Sequence, residues 1–245
     1  MRIKEDVVDI DYSETERFFN TRAKKYREEC PYTTIMYQDN NPDLVKERNK
    51  IETDKLYPLL GIGKESKILD MACGIGRWAD VFPNDITEYC GVDFSEELIK
   101  IAKQRNQRNN YRFYKCVVNE IEQTLREYNK GKYNVILIMG ILLYLNDNTL
   151  PEAFEQIERC CLEQAVICIR EPIALESRLT LKEYFSEELN DNYNAVYRTR
   201  KELFEFFEKT FLKHGFYIKT EDFLFDEKLN NRKETAQYYF ILERK

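Results

Sequence analysis

The reading of the fold turns on residues 66–82, SKILDMACGIGRWADVF. A short apolar strand runs into a turn holding Gly74 and Gly76, and a helix is expected to open directly after it. The chain then repeats that texture. Residues 88–94, EYCGVDF, form a second strand, and SEELIKIAKQRN reads as a helix. Ser95 suits its N-cap, with Glu96 and Glu97 in the first turn where the helix dipole favours acids. Residues 111–118 are a third strand. Residues 133–139 are a fourth, apolar on both faces as in a central parallel strand. A helix starts near Pro151 and runs to about Cys161, and residues 165–169 form a fifth strand. Residues 199–213 form a helix with Leu203, Phe206, Phe207 and Phe211 on one side, stopped by Gly215. Residues 216–225 and 237–242 make a closing pair of strands. Strands alternating with helices imply an α/β fold with right-handed crossovers. We expect a Rossmann-like, doubly wound, mostly parallel seven-stranded sheet with an antiparallel C-terminal hairpin.

Upstream, residues 1–60 read as a charged helical cap. Ser13 and Glu16 fit a capping box ahead of Phe18 and Phe19. Pro31 and Asn41-Pro42 split the region into two or three helices. Residues 43–60 carry Leu44, Ile51, Leu56 and Leu59 at roughly helical spacing, ended by Gly61 and Gly63. The expected organisation is a lid over residues 1–60 and a binding domain over 61–245, with an insert at 172–199 rich in Glu, Tyr and Asn.

The chain of 245 residues has a net charge of −6, 43% hydrophobic and 13% aromatic residues, and 8 Gly. That composition excludes disordered, collagen-like and repeat classes. The acidic balance disfavours nucleic acid as a partner. A single histidine, His214, leaves almost no material for a Ser/His/Asp triad or a histidine metal site, and no metal is expected. The seven cysteines are odd in number and show no Cys-x-x-Cys pair, which points to a reduced, cytoplasmic setting. The N-terminus lacks the apolar stretch of a signal peptide, and the longest apolar run, residues 135–145, is too short to cross a membrane.

The glycine turn lets backbone approach a ligand. Asp93, ending the next strand, can accept hydrogen bonds from both hydroxyls of a ribose. Together they mark a nucleoside-containing cofactor at the carboxyl edge of the sheet. Gly74-x-Gly76-x-x-Ala79 loosely satisfies a dinucleotide fingerprint. Asp70, just before the loop, argues the other way: it would repel a pyrophosphate and attract the ammonium of a methionine tail.

On these residues the chain resembles the class I S-adenosylmethionine-dependent methyltransferases. ILDMACGIGRWA is similar to their first motif, with Ala72 in place of its first glycine; GVDFSEELIKIAKQR is similar to the second. YNVILIMGILLYLND resembles the fourth strand and its loop, and FLKHGF the helix end before the last hairpin. The resemblance spans about residues 65–245. It implies S-adenosylmethionine as cofactor and S-adenosylhomocysteine as product. Asp70 and the loop residues Ala72, Cys73, Gly74, Gly76 and Trp78 would hold the methionine end. Asp93, Phe94 and Ser95 would serve the ribose and adenine, with Asn119 of residues 116–119 also at the adenine. Met139 and Gly140 would lie at the fourth strand's end, where substrate meets the methyl group. An N-terminal helix often covers the cofactor in this family, and Phe19, Arg22 and Tyr26 would face inward.

Methyl transfer from a sulfonium is an in-line displacement in which alignment does most of the work. A base, if used, would come from Tyr144, Asp147 or Glu171 on the loops after the fourth and fifth strands. His214 suits a helix C-terminus instead. Tyr37 with Gln38, and Tyr193, Tyr197, Arg198 and Arg200 of the insert, are the substrate candidates. Tyrosines with arginines suit a phosphorylated or sugar acceptor, since Arg grips phosphate bidentately. The leading expectation is a small-molecule methyltransferase acting on O or N of a nucleotide-linked sugar or phosphorylated metabolite, as in sugar, envelope-polysaccharide or natural-product pathways, and working as a monomer or homodimer. The alternatives are an RNA or protein methyltransferase, or a non-catalytic cofactor-binding partner subunit.

Overall fold

Residues 133–139, apolar on both faces, stand at the centre of the sheet in the computed structural model, which describes every residue except Glu188 and Asn231. The strands in chain order are β1 (Arg2–Lys4), β2 (Lys67–Met71), β3 (Glu88–Asp93), β4 (Tyr111–Lys115), β5 (Tyr133–Met139), β6 (Cys161–Ala174), β7 (Leu179–Ser186), β8 (Asp191–Tyr197), β9 (Tyr217–Phe223) and β10 (Thr235–Arg244). The helices are α1 (Tyr12–Lys24), α2 (Thr33–Met36), α3 (Pro42–Leu56), α4 (Glu96–Arg105), α5 (Ile121–Glu127), α6 (Leu150–Arg159) and α7 (Arg200–Phe207). Seven strands form the main sheet in the order β4-β3-β2-β5-β6-β10-β9. The first five are parallel, and β10 runs antiparallel between β6 and β9. This is the expected Rossmann-like arrangement with its C-terminal hairpin.

Strand alternation sorts side chains into two cores. On β5, Ile136 and Ile138 pack with Phe154, Phe207 and Phe211 of the α6 and α7 side. Val135 and Leu137 face Leu56, Trp78 and Ile99 on the other. Because β2 and β5 are neighbours while the chain between them goes out to β4 and back, the strand order reverses there. A crevice opens beyond the carboxyl ends of β2 and β5, as doubly wound sheets provide at such a switch point.

Several expectations need correction. No α-helix follows the glycine loop; a single 3-10 turn, Trp78–Asp80, stands in its place. Pro83, which lacks an amide hydrogen and disfavours helical backbone in the residue before it, closes off the segment seven residues after Gly76. Residues 2–4 are not helical, because their backbone pairs antiparallel with β7. Helix α1 is capped by Asp11, whose carboxylate accepts from the Ser13 amide at 2.7 Å, and not by Ser13. Strand β6 extends to Ala174, past the end of its pairing with β5 at Arg170, because β10 continues beside it.

The region before residue 61 is not a single cap. Leu56 and Leu60 belong to the core of the sheet itself. The insert folds as the β7–β8 hairpin, which β1 completes into a three-stranded sheet. Phe18 of α1 packs with Leu179, Leu181, Tyr193 and Tyr197 of that sheet. The N-terminal segment and the insert thus make one cap. The predicted helix over 199–213 starts at a capping box of Thr199 and Glu202 and ends in a π-helical turn, Glu208–Leu212.

Phe154 is fully buried between Phe207 and Phe211, whereas Phe185 on the cap hairpin is 55% exposed. In urea denaturation Phe154→Ala is expected to cost about 3–5 kcal/mol, and Phe185→Ala about 0.5 kcal/mol or less.

Candidate active site

Three positive-φ residues, Ala72, Gly74 and Gly76, turn the chain at the end of β2. Ala72 pays for its left-handed backbone with roughly 1–2 kcal/mol, a cost glycine would avoid. The loop is pinned by Asp93, whose carboxylate accepts from the amides of Gly74 and Ser95, both at 2.9 Å. A Cβ at Gly74 would come within 3.0 Å of the Ile35 side chain, so α2 lies directly on the loop. Asp70 accepts from the Tyr89 hydroxyl. Burial raises both acids, Asp70 to about 7 and Asp93 to about 6, against the Tyr89 hydroxyl and Arg77 at the first and the backbone amides at the second.

A cavity of about 510 Å³ opens over this loop, within the range of small-molecule sites. Asp70, Ala72, Cys73, Gly74, Trp78, Asp93, Phe94, Asn119 and Met139 all line it. Gly76 and Ser95 do not. Gly76 faces Asn106 and Phe113 beneath the loop, where a Cβ would meet them at 2.9 and 3.1 Å. Ser95 caps α4 by accepting from Leu98 N and donates to Asn20. On α1 the cavity face carries Tyr12, Glu16 and Phe19, so the expected inward face of Phe19, Arg22 and Tyr26 is right only at Phe19. Arg22 is buried with its guanidinium on Asp39 and on the Thr33 and Thr34 carbonyls, and its stack over Tyr37 supports that ring. Tyr26 packs against the Ala23, Ile75 and Leu98 cluster.

A second cavity, of about 190 Å³, lies under the cap hairpin. Tyr37, Tyr193 and Tyr197 line it as expected. Arg198 and Arg200 do not. Arg198 is spent on Asp147 and on the Leu142 and Leu145 carbonyls, and Arg200 pairs with Glu221 at the surface. The two cavities share Tyr37, Met139, Gly140, Tyr144 and Arg170, so they meet at the carboxyl end of β5.

Of the three base candidates, only Tyr144 reaches the junction. Its hydroxyl bonds to those of Tyr37 at 3.0 Å and Tyr193 at 3.1 Å. Burial holds it well above the ordinary phenol range, so it stays protonated and can orient but not accept a proton. Asp147 lies outside both cavities. Burial would raise it, but Arg178 and Arg198 hold it below its ordinary value as a structural anchor. Glu171 is buried on the opposite face of β6, accepting from Leu142 N at 2.9 Å; burial pushes it to about 7. The residue that faces the cavities from that strand end is its neighbour Arg170, because successive side chains alternate faces. His214 sits between Glu155 and Glu158 beyond the last helix, as its helix-end reading implies.

Three further site residues were not legible in the sequence: Glu52, Arg77 and Arg170. Glu52, 2% exposed on α3, accepts from the Arg77 guanidinium and, at 3.1 Å, from Trp78 Nε1. Its other oxygen faces Arg170 Nε at 3.2 Å. Burial alone would raise Glu52, but Arg170 and Arg77 keep it below its ordinary value. Gly140 (φ +80°) leaves room for Arg170: a Cβ there would stand 2.7 Å from its Nη1. The one available signal was the arginine inside the first motif, GIGRWA; nothing marks Glu52 on its charged helix.

Among known proteins, residues 68–164 match the family model described as a methyltransferase domain. No curated protein matches the chain in sequence. Similar solved structures include DhpI in complex with S-adenosylhomocysteine (TM-score 0.64, 13% identity, covering 94% of this chain and 95% of that one). Magnesium protoporphyrin IX methyltransferase of Synechocystis PCC 6803 with bound S-adenosylmethionine gives 0.63, 11%, 98% and 100%. The 1,6-didemethyltoxoflavin-N1-methyltransferase of Burkholderia thailandensis, with its substrate and S-adenosylhomocysteine, gives 0.62, 14%, 100% and 96%. Residues 68–164 thus match a methyltransferase-domain model, and the chain as a whole shares the fold of these structures solved with S-adenosylmethionine or S-adenosylhomocysteine.

Removing the shared acid leaves two buried guanidiniums without their partner. Glu52→Gln is expected to cost about 3–5 kcal/mol in chemical denaturation. The surface variant Glu234→Gln, which loses only Arg2 and Lys4, is expected to cost about 1 kcal/mol or less.

Proposed function

We propose that this chain transfers a methyl group from S-adenosylmethionine to a small molecule held under the cap hairpin. The observation that carries this reading is the meeting of the two cavities at Gly140: the larger is lined by the motif residues, the smaller by the cap. Bound S-adenosylmethionine supplies an activated methyl group on a sulfonium. Asp93 accepts from the ribose hydroxyls, and Asp70 attracts the ammonium. Residues 117–119 frame the adenine, with Phe94 at the same wall. Phe19 and Tyr37 cover the cavity from above, where aromatic faces favour a sulfonium. With the methyl carbon at the junction, the protein's task is to align a nucleophile behind it and exclude water.

The size of the second cavity, and its closure by tyrosines of the cap, favour a small acceptor over an RNA or a protein. Among the described residues no helix is long and apolar enough to cross a membrane. All seven cysteines are buried free thiols, which suits a reducing compartment such as the cytoplasm. The motif set of Asp70, Gly74 and Asp93 around one cavity, joined to a second, suits an enzyme more than a partner subunit that only binds the cofactor.

Isothermal calorimetry tests the reading. Asp93→Ala is expected to weaken S-adenosylmethionine binding at least about tenfold, the loss of charge-assisted bonds to the ribose; unchanged affinity would refute the assignment. The pH dependence follows from the raised acids. Asp70 and Asp93 hold protons more tightly in the fold than in the unfolded chain, whose carboxyls titrate near 3.9. Their contribution to the stability of the unliganded protein is therefore full below about pH 4 and lost as pH rises through 6 and 7. A cationic, hydroxyl-donating ligand favours the ionised acids. Its affinity should therefore rise between pH 5 and 7.5, with proton release on binding that shows as a buffer-dependent enthalpy.

A further inference from the structure

The acceptor cavity has a charge pattern that a general methyltransferase does not require. Among its described lining residues, Arg170 and Arg232 bring two guanidiniums, and the acid Glu52 on the same wall already serves Arg77. Arg170 is the arginine at the junction. One edge of its guanidinium lies toward Glu52, and Nη1 has only a 3.5 Å contact with Gln237 Oε1.

Across the junction lies a chain of tyrosine hydroxyls. Tyr37 bonds to Tyr144 at 3.0 Å, Tyr144 to Tyr193 at 3.1 Å and Tyr193 to Tyr197 at 3.4 Å. Arg232 Nη1 donates to the Tyr197 hydroxyl at 3.0 Å. A guanidinium has no acceptor, so this last bond has one direction. A cation at the head of the chain turns the O–H dipoles away from itself. Tyr197 then donates to Tyr193, Tyr193 to Tyr144, and Tyr144 to Tyr37, each bond polarising the next. Four hydroxyls joined by three links leave one hydrogen over, on Tyr37, which lines both cavities. The junction is thus flanked by a guanidinium and a polarised O–H donor. Among the described residues the nearby acids are engaged elsewhere: Glu52 with its arginines, Glu171 on the far face of β6, Asp147 between Arg178 and Arg198, and Glu16, Asp70 and Asp93 on the walls of the larger cavity.

We infer that the methyl acceptor is a small organic acid whose nucleophile is an oxygen already anionic at neutral pH, a carboxylate or an acidic enol or phenol, received between Arg170 and Tyr37. This rests on the methyltransferase reading above and adds the substrate class. The acceptor oxygen's lone pair forms the new O–C bond as the C–S bond breaks and its electron pair leaves on sulfur. No proton moves and no base is needed. An ammonium would be repelled by Arg170, and among the described lining residues of this cavity a neutral alcohol would meet no carboxylate but the arginine-bound Glu52.

The test supplies methyl-labelled S-adenosylmethionine to the full chain with acetate, malonate, benzoate, phenylacetate and 4-nitrophenol, and with benzamide, benzyl alcohol and benzylamine as uncharged and cationic counterparts. Binding of each to the protein loaded with S-adenosylhomocysteine is followed in parallel by calorimetry. Label is expected to enter the acids alone. Methyl esters release labelled methanol in alkali, and an aryl ether does not, which separates a carboxylate from a phenolate acceptor. With S-adenosylmethionine saturating at every pH, so that the ionisation of Asp70 and Asp93 does not enter, the pH profile of kcat/KM for the acid should bend at the acid's own pKa and move when the acid is changed. Arg170→Gln should lower kcat/KM for the acid about 100-fold and Tyr37→Phe about tenfold, both with S-adenosylmethionine affinity within about threefold of wild type. Acid binding should be weakened in both variants and partly recovered in Arg170→Lys. Label in the amine or the neutral alcohol, a bend fixed by the enzyme, or failure of every acid both to bind and to be methylated would overturn this inference. Absence of S-adenosylmethionine binding by the wild type would instead overturn the proposed function.

Discussion

The carboxylate of Glu52 joins parts of the chain that sequence keeps far apart. It sits on α3, within the segment that reads as a surface cap. It holds Arg77 and Trp78 just after the glycine loop and faces Arg170 at the end of β6. A buried ion cluster of this kind contributes little net stability compared with an apolar core, but removing one member is costly. Its consequence here is geometric. It fixes the back wall of the crevice at the switch point of the sheet and holds the Arg170 guanidinium where the two cavities meet.

That cluster also accounts for an unusual feature of the loop. Folds of this type place a helix N-terminus behind the glycine turn, and its dipole favours negative charge. Here the helix is reduced to one 3-10 turn, and a buried guanidinium, Arg77, stands beside Asp70 in its place. Arg170 passes over Gly140 into the space between the two cavities, a passage that any side chain at residue 140 would block. The same glycine that the resemblance assigns to substrate approach therefore also admits the guanidinium that lines both cavities.

Much of the architecture was legible, and for a physical reason. Burial on both faces makes β5 continuously apolar, and burial on one face gives α7 its Leu203, Phe207 and Phe211 stripe, so local patterns carry the sheet and its helices. The motif positions Asp70, Gly74 and Asp93 were legible because strand-end acids and positive-φ turns need particular residue types. The rest depends on contacts between distant segments. Three residues of β1 carry no pattern of their own and become a strand only because β7 offers an edge. The choice between Arg170 and Glu171 is a question of which face of β6 each occupies, and register there is set by β5 and β10. Sequence alone does not separate the two uses of an arginine, since the residue serves a carbonyl cage, as Arg198 does, as readily as a ligand.

In the proposed reaction one crevice holds a nucleoside-bearing methyl donor, whose reactive end meets the second cavity at Gly140. A crystal structure of the protein with S-adenosylhomocysteine tests it most directly. The ribose hydroxyls are expected on Asp93, the adenine along residues 117–119, and the sulfur at Gly140 facing Arg170 and the Tyr37 hydroxyl. Density for the ligand elsewhere, or a sulfur turned away from the Gly140 junction, would contradict it.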